Sequence, residues 1–491
     1  MVRAFLLGCG LLSLSGCQIL SGLTDYEASE IDTPPPEATP FGKSFGGADI
    51  DSLAGAAIGP DGTIVIGGTM ANVDFGSGSS LVTYGRYDPF LAKLDGSGNH
   101  LASVSFGAPD GDLMLDMALG PDGRVAVVGL FRSTMSFGGL EITGTTATPD
   151  PETQAPISVF VATFDASLRV EWAVALSTFE ALVSLEVAFD PSGNVVVAGT
   201  HDGLVDFLGD PRQSSSRHDL FVLGLDRQGD KRWLRTYPAA VGVGALPAEV
   251  TNAPAGLAVD ANGSAYVAIH QFRGLEYATG TGTDDPNGEI VLLKIDAVGN
   301  ESWVGFYGGL LGFHAPTALT VDLAGRPVLA GLFFGQYTAS DQTFTSEDAI
   351  SSFVSRFSAN GEHLTTTVFP GPAFVNDPPP PSVVTSLEAA GDGTFIGTGV
   401  LYDELTVGET KLENTSSTAN YDVLLLRLDA ALAPTLAKRY GDASRDAGVW
   451  AGLHPSGRVV ATGQFEGQLR FADYDFSSAG ESDLFVVHYD P

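Results

Sequence analysis

Cysteine is almost missing from this chain: two in 491 residues, Cys9 and Cys17. A framework of internal disulfides and a cysteine-ligated metal site are thereby excluded. Basic residues are scarce too, 24 Lys and Arg against 59 Asp and Glu, for a formal net charge of −35. No basic stripe interrupts that surface, so a phosphate backbone is repelled and nucleic acid is not an expected partner. The acid excess either keeps a glycine-rich exported chain soluble or attracts a cation or basic ligand. Beyond residue 14 no apolar run is long enough to span a bilayer. Catalytic signatures are missing as well. There is no His-Glu-x-x-His, no phosphate-cradling Gly-x-x-x-x-Gly-Lys-Ser/Thr loop and no EF-hand loop, and the eight His are scattered. Gly76-Ser-Gly-Ser-Ser80 lacks the final Gly of a nucleophile elbow. What is abundant is Gly, 61 residues, within a 44% hydrophobic and only 17% charged composition. A large core with many tight turns suits an all-β chain.

The first residues read as a targeting segment. Arg3 gives a short positive start and residues 4–14 a near-continuous apolar run, ending in Leu14-Ser15-Gly16-Cys17. That ending resembles the bacterial lipobox, in which small residues precede a Cys that is acylated and becomes the mature N-terminus. Cys9 has a similar Leu-Leu-Gly-Cys context, but too short an apolar run before it. The expectation is a signal peptide over residues 1–16, lipid on Cys17, and membrane attachment through that lipid. Gln18, rather than Asp, follows the Cys; by resemblance to known sorting behaviour this implies the outer membrane, with a periplasmic or a surface orientation. Residues 17–40 are polar, acidic and Pro-rich, an extended tether.

The rest, residues 41–491, repeats. An acidic or small residue, an apolar alternating strand and a closing Asp occur as Asp88…Asp95, Ser158…Asp165, Asp219…Asp226, Glu289…Asp296, Ser351…Ser358, Asp422…Asp429 and Asp483…Asp490. A tight turn feeding a β-branched strand recurs equally often, on Gly62, Gly123, Gly193, Gly263, Gly325, Gly393 and Gly457. There Gly supplies the positive φ that closes a hairpin. In six copies this strand ends in Gly; Ile269 is the departure. A small-residue strand precedes each turn, suited to blades converging on an axis. A further strand follows each closing Asp and ends at Phe106, Leu176, Tyr237, Tyr307, Phe369 or Tyr440, with Trp172, Trp233 and Trp303 four residues earlier. The last repeat lacks this strand, and residues 41–46 supply its missing copy from the other end. Six whole repeats and one split repeat predict a seven-bladed β-propeller of four-stranded blades, closed by a blade shared between the N- and C-terminal segments.

Asp219, Phe221, Asp226, Trp233 and Tyr237, with Asp190, Pro191, Gly193, Asn194 and Gly199, carry a pattern that resembles the SBBP-type β-propeller repeat of bacterial surface and secreted proteins. Val73-Asp74-Phe75 and Val205-Asp206-Phe207 fit it too, with Leu275-Glu276-Tyr277 as a variant. The resemblance spans about residues 41–491 and implies the fold; that repeat class has no common reaction or ligand.

Function is expected on the face carrying the second-to-third-strand connections, each of roughly twenty residues. The Val-Asp-Phe segments suggest that extra strands order them. Carboxylates are the plausible site material there: Asp202, Asp206, Asp284, Asp285, Asp348 and Asp473 are candidate Ca²⁺ ligands, against the alternative of a solvated acidic rim. Otherwise no cofactor is expected. The recurrent Asp95, Asp165, Asp226, Asp296, Asp429 and Asp490 are expected to bond turn amides rather than to catalyse. The leading expectation is a monomeric, membrane-anchored binding or scaffold module with a protein or glycan partner. The alternatives are a Ca²⁺-dependent hydrolase or lyase working in the axial funnel, and a structural subunit of an envelope assembly complex.

Overall fold

The computed structural model describes residues 38–144, 157–179, 184–215, 219–239, 252–282, 288–309, 312–373, 380–414 and 420–491. The proposed signal peptide, Cys17, most of the tether, Asp284 and Asp285 lie outside them. Thr39–Pro491 forms one unit, and its described residues contain strands and no helix. Blade 1 consists of Ser52–Ile58, Ile64–Met70, Asp88–Leu94 and His100–Ser105, paired in that order. Blades 2 to 6 repeat the arrangement over residues 113–179, 185–237, 253–307, 312–369 and 383–440. Blade 7 takes Asp446–Leu453, Val459–Phe465 and Asp483–Tyr489 from one end of the chain and Phe41–Phe45 from the other. Phe41 stands opposite His488 and Phe45 opposite Leu484, antiparallel. Each inner strand touches the next, and Asp446–Leu453 touches Ser52–Ile58, so the ring is closed.

The local chemistry explains each strand. All seven turn glycines lie between φ 72° and 84°, where a side chain is strained. The Gly ending the second strand has another cause. Opposite five of these six glycines the inner strand carries a bulge, as between Leu53 and Gly55 or Met114 and Asp116, and blade 4 has the same bulge opposite Ile269. The bulge pushes an inner-strand carbonyl inward: a methyl on Gly68 would lie 2.0 Å from Ser52 O, and one on Gly463 1.9 Å from Ala447 O. Second and third strands pack against neighbouring blades on both faces, so Ile64–Met70 and Asp219–Leu225 are buried throughout. Their alternation sends successive apolar side chains into two different inter-blade cores. Val195, Val197 and Phe221 join blade 2 residues in one core, while Val196, Val222 and Ala198 join blade 4 residues in another.

Two sets of clasps lock the junctions. On the upper face, which carries the second-to-third-strand connections, the Val-Asp-Phe segments of blades 2 to 7 fold into hairpins, such as Leu204–Asp206 with Pro211–Gln213. In blade 1 the segment ends in a turn in which Asp74 accepts the N–H groups of Gly76, Ser77 and Gly78. The first and third side chains are buried in every blade, from Val73 and Phe75 to Leu469 and Phe471. They reach back to the residue that ends the outer strand of the preceding blade, Leu176 in blade 2 and an aromatic in the others. Phe75 meets Phe45 at 5.4 Å, Phe137 meets Phe106 at 5.1 Å, Tyr277 meets Tyr237 at 5.4 Å and Phe471 meets Tyr440 at 4.0 Å. On the lower face the outer-strand aromatics lie over a left-handed Gly in the following blade's last turn. Trp172 covers Gly229, Trp233 covers Gly299, Trp303 covers Gly361 and Phe41 covers Gly98. Trp172 and Trp303 donate Nε1–H to the carbonyls of Arg227 and Ala359, both at 2.9 Å. A buried aromatic of this kind contributes about 2–3 kcal/mol.

Candidate functional site: the axial channel

The inner strands enclose a cavity of about 1090 Å³ on the axis, lined by residues from all seven blades. Most of its wall is Ala, Gly and Leu, as expected where seven strands converge. Five carboxylates interrupt it. Asp190 and Asp260 lie in the turns, where each accepts two backbone amides and pairs with a cation, Arg232 or Lys294. The other three lie on the inner strands themselves. Asp116 of blade 2 and Glu186 of blade 3 occupy equivalent positions, seven residues before their turn glycines. The other blades hold Gly55, Gly256, Ala318, Ser386 and Trp450 there. Glu388 of blade 6 lies two residues nearer its turn. In blade 2 a bulge places Asp116: it adds one residue just ahead of it and re-aims the chain that follows.

The three groups are half-buried, within reach of solvent in the channel but surrounded by protein. Asp116 Oδ2 accepts the Val187 N–H at 2.8 Å and Oδ1 the Met117 N–H at 2.7 Å, which fixes the carboxylate across the blade 2–blade 3 junction. Burial raises it to about 7, and the charge of Glu388 adds to the rise. Burial, then the charge of Asp116, holds Glu186 well above the usual carboxylate range. Glu388 is pushed to about 7 by burial, opposed by the Trp450 Nε1–H bond to Oε1 at 2.9 Å. Such carboxyls donate as well as accept hydrogen bonds near neutral pH, and the channel favours a cationic or hydrogen-bonding guest.

The residues singled out from the sequence are dispersed. Asp206 is exposed and its Oδ1 accepts the Gly209 N–H at 2.7 Å. Asp202 is buried beside His201, while Asp348 and Asp473 are exposed on different blades. Among the described residues no three His, Cys, Asp or Glu side chains form a metal-holding group. Asp95, Asp165, Asp226, Asp296 and Asp429 each accept two turn amides, at 2.7–3.0 Å. Asp490 instead pairs with Arg458 at 3.0 Å. The channel carboxylates went unremarked in the sequence reading. The available signal was an acid within an otherwise small or apolar inner strand, visible once the turn glycines align the repeats.

Scanned against protein-family models and against curated proteins, the sequence matches none. Solved structures do align with it at low identity. A protein of unknown function from Bacteroides caccae aligns at 11% identity over 73% of this chain and 92% of that one, with a TM-score of 0.32. An ulvan lyase from a polysaccharide lyase family aligns at 9% identity over 86% and 93%, TM-score 0.42. The β-propeller domain of the trilobed protease from Pyrococcus furiosus, described as having an open velcro topology, aligns at 8% identity over 87% and 98%, TM-score 0.40. Likeness at this level does not extend to activity. The propeller assignment rests on the blade topology of the chain itself.

Proposed function

We propose that this protein is a lipid-anchored binding module of the bacterial envelope that takes a cationic group of its ligand, such as an amine of a peptide or of an envelope polymer, into the axial channel. The observation that carries the reading is the entry of three inner-strand carboxylates, from blades 2, 3 and 6, into one cavity whose wall is mostly small and apolar, the two further carboxylates, Asp190 and Asp260, being tied into their own turns. The volume suits a short peptide or oligosaccharide segment. Trp450, bonded to Glu388, offers an aromatic face beside the charge. Anchoring rests on the Leu14-Ser15-Gly16-Cys17 motif, and the excess of acid over base favours an approaching cation at a distance.

Titration calorimetry with trilysine, spermidine and neutral N-acetylglucosamine trimer at pH 7 tests the site. The two amine probes bind, and the D116N/E186Q/E388Q variant loses at least about tenfold in affinity, the equivalent of roughly 1.4 kcal/mol. Equal binding by the variant, or preference for the neutral trimer, overturns the reading. For the anchor, palmitate labels the wild-type protein in a bacterial host and fails to label C17S.

A further inference from the structure

At the upper end of each junction two columns of residues meet. One is the residue that opens a third strand; the other is the residue at the start of the following blade's inner strand. The second column ties its own blade together. Asn252 Oδ1 accepts the N–H groups of Phe272 and Arg273 at 2.9 and 2.8 Å, the Ser382 hydroxyl accepts that of Tyr402 at 3.2 Å, and Asp51 Oδ1 that of Ala71 at 2.9 Å. Neutral side chains therefore serve in blades 4 and 6. At three consecutive junctions, 6 to 7, 7 to 1 and 1 to 2, both columns are aspartate: Asp422 with Asp446, Asp483 with Asp51, and Asp88 with Asp112. All six are buried, none more than 3% exposed.

Donors run short there. In blade 3 the Ala239 N–H goes to Asp219 Oδ1 at 2.9 Å, with Asn252 in the neighbouring column. At the aspartate junctions the equivalent amides, of Asp442, Gly47 and Ala108, go to the inner-strand Asp446, Asp51 and Asp112. Oδ1 of Asp422, Asp483 and Asp88 is left buried without a partner. A methyl on Gly107 would lie 2.0 Å from Asp88 Oδ1 and 3.1 Å from Asp112 Oδ2, and one on Gly441 2.3 Å from Asp422 Oδ1 and 2.8 Å from Asp446 Oδ2. At these two junctions the carboxyls meet across a bare glycine. Asp49, Asp110, Asp442 and Glu466 add negative charge nearby, and Arg439, paired with Asp422, opposes it at one junction. Two buried anions side by side are strongly disfavoured, and no third carboxylate or His completes a metal group among the described residues.

We propose that each of the three pairs holds one proton in common, one carboxyl donating O–H to the other, so that the split blade and its neighbours are joined by protonation. Burial, with the partner's charge adding, raises Asp51 to about 6, Asp112 to about 7 and Asp446 to about 8. Burial raises the three partners too. The sign follows from linkage. A carboxyl raised in the folded state adds stability that is fully present below its unfolded value, near 4, and is lost as pH rises through the folded one. Between pH 6.5 and 8.5 the loss from Asp112 and Asp446 continues. On the lower face of blade 7, burial pushes His488 to about 4, so it is already neutral there, and burial lowers His454 as well. Asp116 and Glu388, raised to about 7, titrate in the same window, so the channel carboxylates must be removed from the measurement.

In the full chain carrying D116N/E186Q/E388Q, the melting temperature should fall by roughly 2–4 °C from pH 6.5 to 8.5. Adding D112N and D446N, after the Asn of blade 4, should remove most of that fall and leave the variant more stable than its parent at pH 8.5. The infrared carbonyl stretch of a protonated carboxylic acid should be present in the parent at pH 6.5 and fade by pH 8.5, a readout independent of how the added variants fold. A flat melting profile without that band overturns the proposal. So does stabilisation by Ca²⁺ at pH 8.5 with the band absent at pH 6.5, which would make the pairs cation sites.

Discussion

The ring is held in two different ways around its circumference. From blade 2 to blade 5, tryptophans of one blade cover the turn glycine of the next: Trp172, Trp233 and Trp303 at three successive junctions. From blade 6 through blade 7 to blade 2, the tryptophans give way to Leu436 and Ala102, and the paired aspartates stand at the opposite face. Only the closing junction has both, with Phe41 over Gly98 below and Asp483 beside Asp51 above. An aromatic lid on a glycine is insensitive to pH; a carboxyl pair is not. One repeat unit thus accommodates junctions of different chemistry, provided its turns, bulges and hairpins are kept.

The comparison can be broken most severely at the junction that uses both. Deleting residues 41–46 removes the fourth strand of blade 7 and the Phe41 lid, so cooperative melting of the whole propeller should be lost; deleting the tether through Pro40 should leave it unchanged. Circular dichroism on both truncations checks this. Next in size, Trp172→Ala should cost about 3–5 kcal/mol in denaturant melts, through the lost ring and its hydrogen bond to Arg227. That loss should be constant between pH 6 and 8.5, unlike the effect of any substitution at the aspartate pairs. A smaller contrast isolates the lid. Gly229 has φ +85° and lies 2.8 Å from Trp172 at its hypothetical methyl, whereas at Gly123, φ +79°, the nearest contact is 3.4 Å. Gly123→Ala should cost about 1 kcal/mol from the backbone alone, and Gly229→Ala roughly 1–3 kcal/mol more. The smallest effect belongs to the lower face of blade 7. His488, pushed to about 4 by burial and then by His454, bonds the Gly96 carbonyl at 3.0 Å. Its contribution is present above pH 6.5 and lost as pH falls towards 4, so H488N should flatten the acid limb of the melting profile without touching the alkaline one.

Much of the architecture was readable because it is written seven times. A single Pro-Asp-Gly turn or a single Asp-closed strand is weak evidence, but seven at matched spacing, with the missing strand found at residues 41–46, leave little freedom. The Phe or Tyr ending six of the seven outer strands was visible as a recurrence; that it seats the next blade's hairpin was not, because the two lie in different blades. The channel carboxylates are hidden for the opposite reason: they are exceptions to the repeat. Asp116 and Glu186 replace Gly, Ala, Ser or Trp, and in blade 2 the bulge ahead of Asp116 breaks the two-residue alternation that would have shown which way it points. Asp51, Asp112 and Asp446 each stand six residues after the aromatic that ends an outer strand, but that spacing holds an aspartate at three joins only, so it does not read as part of the repeat.

The hairpins carry a last consequence. Each packs on the blade before it: Val205 and Phe207 of blade 3 share a core with Trp172 and Leu176 of blade 2, and Asp206 pairs with Ser177. Damage should therefore be displaced from its cause. Truncating Phe207 to Ala should speed amide hydrogen exchange first along Val170–Phe179, one blade upstream in the sequence, before the mutated blade itself loosens. With seven such dependencies pointing the same way around a closed circle, no blade is terminal, and a local lesion has one preferred direction in which to spread.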